Sequence, residues 1–394
     1  MKANPGGQVA PDNVIGRDDL IRALWQTLEH QSVLLTAERR IGKTCVVQKM
    51  RAEAPGPWFP VYQEIEDVHT AEEFSLKVFG AVQQYLSGWR KTANRALKWL
   101  NDRGVKIVGV GELAAHPQGW KELLTRSIED LVHEQAEQKL VFFWDEFPDM
   151  IDNILQRDGP ATAREVLDVL RALRHTHSDF RMVLTGSIGL HHVLARLQLT
   201  GGTGAPINDV YQVEVTPLAP ADAAELARRL IHGEALTTSD VDAAAECMAE
   251  ASDYIPFYIH HLARVLRTSQ RPAEPDRIEE VVAEQLVDAN DPWELGHYRD
   301  RIPDYYRDDA ALVVTILDEL SQSDGPPAAN ELLNQLKAHP NPAGSIEPFD
   351  DRDRLLRVLR LMERDHYLKR TPENEYGFRF PLIGRWWKLD RGLE

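Results

Sequence analysis

Lys43 and Thr44 close the segment TAERRIGKT (Thr36–Thr44), which follows an apolar run and opens an amphipathic stretch. That context suits a phosphate cradle, because backbone N–H groups of a loop and of a helix N-terminus point at phosphate oxygens. Glu38, Arg39, Arg40, Ile41 and Gly42, continued by Lys43, Thr44 and Cys45, are the expected wall of a nucleotide site. Lys43 would bring a point charge to β- and γ-phosphate oxygens, and Thr44 a hydroxyl to Mg2+. Ala37 stands where such a loop usually has its first glycine. Alanine is penalised there only if φ is positive, so an ordinary backbone conformation is expected at the entry.

A second segment supplies acids. LVFFWD (Leu140–Asp145) reads as a buried strand, and Glu146 follows directly. A carboxylate at the C-terminal edge of a parallel strand lies beside the crevice where phosphate ligands bind. Asp145 is expected in the Mg2+ shell, and Glu146 is expected to orient or deprotonate the attacking water. A solvated strand-end turn is the plainer reading of an isolated Asp-Glu, and it loses weight when a phosphate loop precedes it. A third segment, FRMVLTGSIGL (Phe180–Leu190), brings Thr185 and Ser187 to the same edge. Either hydroxyl could read the γ-phosphate or position the water, and a simple turn after a strand competes equally.

The elements that must position these groups alternate in period. Strands are expected at Val33–Thr36, Trp58–Tyr62, Leu140–Asp145, Arg181–Thr185 and Val210–Val215. Helical spacing covers Asp19–Glu29, Lys43–Glu53, Ala71–Ser87, Gly119–Glu137 and Ala161–His175. Alternation of this kind predicts an α/β fold on a parallel sheet. Gly104–Glu112 reads as a small β excursion. From Pro220 to Leu286 the pattern is all-helical. The final stretch reads as helices at Asp308–Ser321, Ala329–Ala338 and Asp351–Arg364, then strands at Tyr367–Lys369 and Gly377–Phe380. That order is the order of a winged helix.

Composition excludes several functions. The 394 residues carry 45 Lys+Arg against 62 Asp+Glu, a net charge of −17, which disfavours a DNA coat or a polybasic membrane binder. No apolar stretch is long enough for a bilayer span, and the polar opening MKANPGGQVAPD predicts no signal peptide. Two cysteines, Cys45 and Cys247, exclude a disulfide scaffold and suit a cytoplasmic protein. The acidic charge concentrates in residues 201–350, whereas residues 351–394 are net basic.

Together these segments resemble the archaeal-type ATPase group of the AAA+/STAND P-loop ATPases. The resemblance is carried by IGRDDLIRAL (Ile15–Leu24), TAERRIGKT, VFFWDEFPDMI, LTGSIGL, VTPLAPADAAELARRL (Val215–Leu230), YIPFYIHHL (Tyr254–Leu262) and FRFPLIGRWW (Phe378–Trp387). It implies an ASCE-type five-stranded parallel sheet with the P-loop strand beside those of the other two motifs. A helical lid and a C-terminal winged helix would follow, with domains at 1–217, 218–300 and 301–394. It implies binding of Mg2+-ATP and hydrolysis to ADP and phosphate, coupled to a protein partner, a second copy of the chain, or weakly bound DNA. Ile15 and Arg17 resemble the segment near the adenine. Pro256 takes the place of the proline in a Gly-x-Pro lid motif whose glycine is absent here.

Many such enzymes complete the site with an arginine from a neighbouring subunit. Arg174 is the first choice here, with Arg171 beside it and Arg196 weaker, and low intrinsic turnover is expected without that charge. The rival reading is a nucleotide-gated switch that hydrolyses little and docks a partner. In the tail, Arg357, Arg360 and Arg364 form a stripe that would meet DNA, lace a salt-bridged face, or dock a protein. His175, His177, His191 and His192 lack the companions of a metal site, and Trp386-Trp387 are expected to anchor the tail by burial.

Overall fold

The computed structural model describes residues 1–87, 119–186, 189–199, 207–338 and 349–393. Ser187, the Gly104–Glu112 segment and the glycine-rich Gly201–Gly204 lie outside the described residues. The chain divides into two compact units. One comprises Arg17–Ala37 and Lys43–Val215; the other comprises Met1–Gly16, Glu38–Gly42 and Thr216–Glu394.

The first unit holds a five-stranded parallel sheet: β1 (Val33–Thr36), β2 (Trp58–Glu64), β3 (Lys139–Asp145), β4 (Phe180–Thr185) and β5 (Tyr211–Glu214). The expected strands are all present, with ends moved by a residue or two. Their spatial order is β2-β3-β4-β1-β5. This corrects one expectation: β4 separates the P-loop strand β1 from the acid-bearing β3, so only the third motif is its neighbour. The register still aligns the strand ends, pairing Leu35 with Thr185, Trp144 with Leu184 and Glu64 with Asp145. Leu140–Asp145 is buried at every residue, as a central strand covered on both faces must be.

Helices pack on both faces. They are α1 (Asp18–Leu28), α2 (Lys43–Ala52), α3 (Ala71–Gln83), α4 (Gly119–Glu134), α5 (Phe147–Arg157), α6 (Pro160–Thr176) and α7 (Leu190–Leu199). Ile21, Leu24, Trp25 and Leu28 form the buried stripe of α1 at helical spacing. Thr70 and Glu73 close a capping box at the start of α3, which fixes where that helix begins. Phe74, Phe142, Trp144, Phe147 and Phe180 fill one core cluster, each worth about 1.5–3 kcal/mol on burial. The helix α5 directly after Glu146 escapes a reading by periodicity because Pro148 looks like a turn; at the second helical position proline lacks no needed donor.

The second unit is helical, with α8 (Pro220–Glu234), α9 (Val241–Ala251), α10 (Pro256–Ser269) and α11 (Pro275–Leu286), then short α12 (His297–Asp300) and α13 (Ile302–Tyr306). The expected order follows: α14 (Ala310–Gln322), α15 (Ala329–Lys337), α16 (Arg352–Arg364) and an antiparallel ribbon, β6 (Leu368–Arg370) with β7 (Tyr376–Phe378). A closing helix, α17 (Pro381–Asp390), buries Trp386 and Trp387, and the Trp387 indole donates to Asp318 at 2.8 Å.

Gly16 holds φ +67°, and a Cβ there would stand 2.6 Å from the Asp222 side chain on α8. Replacing it by alanine therefore combines strain with a clash, and Gly16→Ala is expected to cost about 2 kcal/mol or more. A fall of several degrees in the thermal midpoint checks this; an unchanged midpoint would contradict it.

Candidate active site

The sheet unit brings the phosphate-loop helix and the acid strand together at one edge. Thr44, the second residue of α2, donates its hydroxyl to Asp145 Oδ2 at 2.9 Å. The Tyr62 hydroxyl from the end of β2 reaches the same oxygen at 3.3 Å, and the Thr185 hydroxyl from the end of β4 donates to Oδ1. Asp145 is 5% exposed, so three hydroxyls do for a buried carboxylate what water would otherwise do. Lys43, also buried, donates from Nζ to the Ala37 carbonyl at 2.8 Å, which holds its ammonium across the mouth of the loop.

Backbone geometry marks the same places. Arg40 and Gly42 have φ of +67° and +100°, whereas Ala37 has no positive φ, so the loop turns late and its alanine entry is unstrained, as expected. Glu146 has φ +59° as the residue that caps α5. A glutamate in the left-handed region costs on the order of 1–3 kcal/mol, and such strain persists where the surroundings dictate it. Gly186 contributes to that support: a Cβ there would come within 2.3 Å of the Pro148 ring, so the end of β4 packs flush on the first turn of α5.

Electrostatics sets two groups apart. Burial, then Asp145 and Glu64, push the Tyr62 phenol well above its usual range, so it stays a donor to Asp145. Burial first, then Glu146, push the Asp149 carboxyl up to about 8. Asp149 lies one turn into α5 and lines a cavity with Glu64, Glu66 and Lys77.

The loop residues Glu38–Gly42 make their own contacts within the helical unit. The Glu38 carboxylate, fully buried, accepts both arms of Arg301 (3.2 and 3.0 Å) and faces His297 Nε2 at 3.2 Å. Burial alone would raise its pKa; the Arg301 guanidinium and His297 reverse this and hold it far below the carboxylate range. Arg40 pairs with Glu294 and lies 4.6 Å above the Phe257 ring. The side chains of Glu38 and Arg40 are therefore turned to that unit. Ile15 and Pro256 belong to the helical unit, half-buried, whereas Arg17 is buried in the sheet unit. Cys45 is half-buried at the start of α2.

Arg174 does not suit the role of a charge offered to a neighbouring subunit. It is 6% exposed and grips Asp209 through Nε and Nη2 at 2.8 and 2.9 Å. Arg196 pairs with Asp152, and Arg171 reaches His175 at 3.5 Å. In the tail, Arg354 and Arg357 both bind Asp309, at 2.6 and 3.2 Å, which favours the salt-bridged reading of that face.

Tyr62 and Asp149, beside Asp145 and Glu146 in the sheet unit, and His297 and Arg301, beside Glu38 in the helical unit, carry no motif. Tyr62 could have been found from the end of β2, where alternation aims it at the neighbouring strand's acid. Arg301 could have been suspected only from the buried anion it answers.

The sheet order, the loop between β1 and α2, and the acids Asp145 and Glu146 at the end of β3 are those of a P-loop ATPase fold. No family model matches the chain, and no curated protein does. Among solved structures it is similar to a Walker-type ATPase of Pyrococcus abyssi, with TM-score 0.67 and 17% identity over 98% of this chain and 100% of that one. It is also similar to the ORC2 protein of Aeropyrum pernix, solved in ADPNP and ADP complexes, with TM-score 0.56 and 9% identity over 98% and 96% of the two chains. The chain thus shares the fold of these two structures.

Proposed function

We propose that this protein binds Mg2+-ATP and hydrolyses it slowly to ADP and phosphate, using the nucleotide state to control a protein partner or a second copy of itself. The observation that carries the reading is the meeting of Thr44 and Asp145 at 2.9 Å behind the Lys43 ammonium. Hydroxyl and carboxylate oxygens are the hard donors Mg2+ takes, and the bound ion would supply charge neutralisation on the β- and γ-phosphates. Thr44 and Asp145 would hold that ion, with Tyr62 and Thr185 orienting the Asp145 carboxylate. Lys43 leaves the Ala37 carbonyl for the phosphate oxygens. Glu146, fixed by its left-handed backbone, takes the proton of the attacking water. The engagement of Arg174 with Asp209 removes the first in-chain candidate for a finger, which supports slow turnover.

The C-terminal α14–α15–α16–ribbon order supports a winged helix, and the pairing of Arg354 and Arg357 with Asp309 supports a salt-bridged face there rather than a DNA-binding one. Among the described residues no helix is long and apolar enough to cross a membrane. Steady-state phosphate release, stimulated by Mg2+ and abolished by chelation, tests the reading.

Asp149 adds a pH signature. Above about pH 8 its carboxyl ionises and places a second negative charge beside Glu146. The KM for ATP is expected to climb several-fold between pH 7.5 and 9.5, and Asp149→Asn to flatten that limb. The sign for stability agrees. The unfolded carboxyl releases its proton near pH 4, the folded one later, so this group costs stability as pH rises between those values. Asp149→Asn should therefore raise the thermal midpoint at pH 7; a lower midpoint together with an unaltered alkaline limb would contradict both claims.

A further inference from the structure

Glu38 is an anomaly: an ionised carboxylate inside a loop suited to bind anions. It follows Ala37, the residue whose carbonyl holds the Lys43 ammonium, so the peptide bond alone keeps it at the phosphate loop. Its Oε1 accepts from the Arg39 backbone N–H at 2.8 Å, and so the carboxylate occupies one of the loop's own amides. The partner on the other side is built with care. Arg301 is enclosed by the rings of Tyr298 and Tyr367, 4.8 and 4.5 Å from their centroids. Besides Glu38 it donates to the Tyr367 hydroxyl at 2.9 Å and to the Asp365 carbonyl at 2.8 Å. Asp365 terminates α16, and Tyr367 directly precedes β6. A bidentate arginine whose Nε and second Nη2 hydrogen are also engaged is a fixed geometry, not an incidental surface pair.

Resting on the ATP-binding reading, we propose that Arg301 is a positioning residue that sets nucleotide affinity by neutralising Glu38, and so links the phosphate loop to the α16–ribbon junction. With the pair intact, the loop presents Lys43 to a triphosphate without net opposition. Pulling Arg301 away, as docking at the ribbon would, exposes a carboxylate to the phosphates and expels nucleotide. Glu38 cannot escape by taking up a proton, since Arg301 and His297 outweigh its burial and hold it ionised across the physiological range.

The two side chains should then act with opposite signs. A unit charge added or removed at the phosphate loop is expected to change affinity about tenfold. Equilibrium titration of Mg2+-ATP and Mg2+-ADP is the test, on wild type, Glu38→Gln, Arg301→Met and the double variant. Glu38→Gln should bind ATP about tenfold tighter, with a smaller gain for ADP, which carries less charge. Arg301→Met should bind about tenfold weaker, and the double variant should return to near the wild-type affinity. A merely structural pair would weaken binding in both single variants and leave the ATP-to-ADP ratio unchanged, which would overturn the proposal. If Arg301→Met does not fold, Glu38→Gln decides alone: equal or weaker ATP binding sinks the idea. Wild type that fails to bind ATP overturns the ATP-binding reading and this proposal together, whereas wild-type binding with the wrong signs overturns this proposal only.

Discussion

Replacing Glu146 by glutamine should abolish steady-state phosphate release while leaving ATP bound. The carboxylate is held in a left-handed backbone at the cap of α5, one residue after the Asp145 that Thr44 touches. Glutamine keeps the size and the hydrogen-bonding reach, so the fold and the nucleotide contacts survive, but it cannot accept the proton of water. A positioned general base contributes about 10²–10⁴-fold, and the rate should fall by that factor. Dissociation of ATP should be unchanged or slower, because hydrolysis no longer drains the complex. A rate within threefold of wild type would assign Glu146 to structure and favour the non-hydrolysing switch. A parallel Glu146→Gly variant separates the backbone from the base: it relieves the positive φ at no steric cost yet should be equally inactive.

Lys43→Ala has the second-largest expected effect, and it falls on binding. The ammonium is buried and donates to the Ala37 carbonyl at 2.8 Å, at the head of the phosphate loop. Charge-assisted contacts to phosphate are about twice as strong as neutral ones, and in the proposed complex one cation would meet two phosphate groups. Loss of the side chain is expected to weaken Mg2+-ATP binding at least a hundredfold, measured by calorimetry at fixed salt. Retained micromolar binding in Lys43→Ala, with the fold intact, would remove the loop from the account.

Much of the sheet was legible because its residues obey two periods at once. The runs before Thr36, Asp145 and Thr185 are mostly apolar, broken in β4 only by Arg181, each ends in a polar residue, and a parallel sheet demands that pattern. The order of the strands was not legible, because no local feature records which strand lies between β1 and β3. Helix α5 was hidden by Pro148, and the closing helix α17 by a Pro381 that likewise opens it. The chemistry at Asp145 was half legible. Thr44 and Thr185 stand in recognisable segments, whereas Tyr62 depends on the pairing of β2 with β3, a long-range fact. The link from Glu38 to Arg301 spans 263 positions, and nothing near either residue announces it.

The account stands on Thr44 and Asp145 sharing one Mg2+ at a bound triphosphate. The direct measurement is the Mg2+ dependence of ATP affinity in a double-mutant cycle, with Thr44→Val, Asp145→Asn and both together. Wild type should lose about tenfold or more in ATP affinity when Mg2+ is chelated. Each single variant should lose most of that Mg2+ dependence, and the double variant should lose no more than either single one, the non-additivity of two groups on one ion. Independent, additive losses, or ATP binding by wild type that ignores Mg2+, would contradict the shared site.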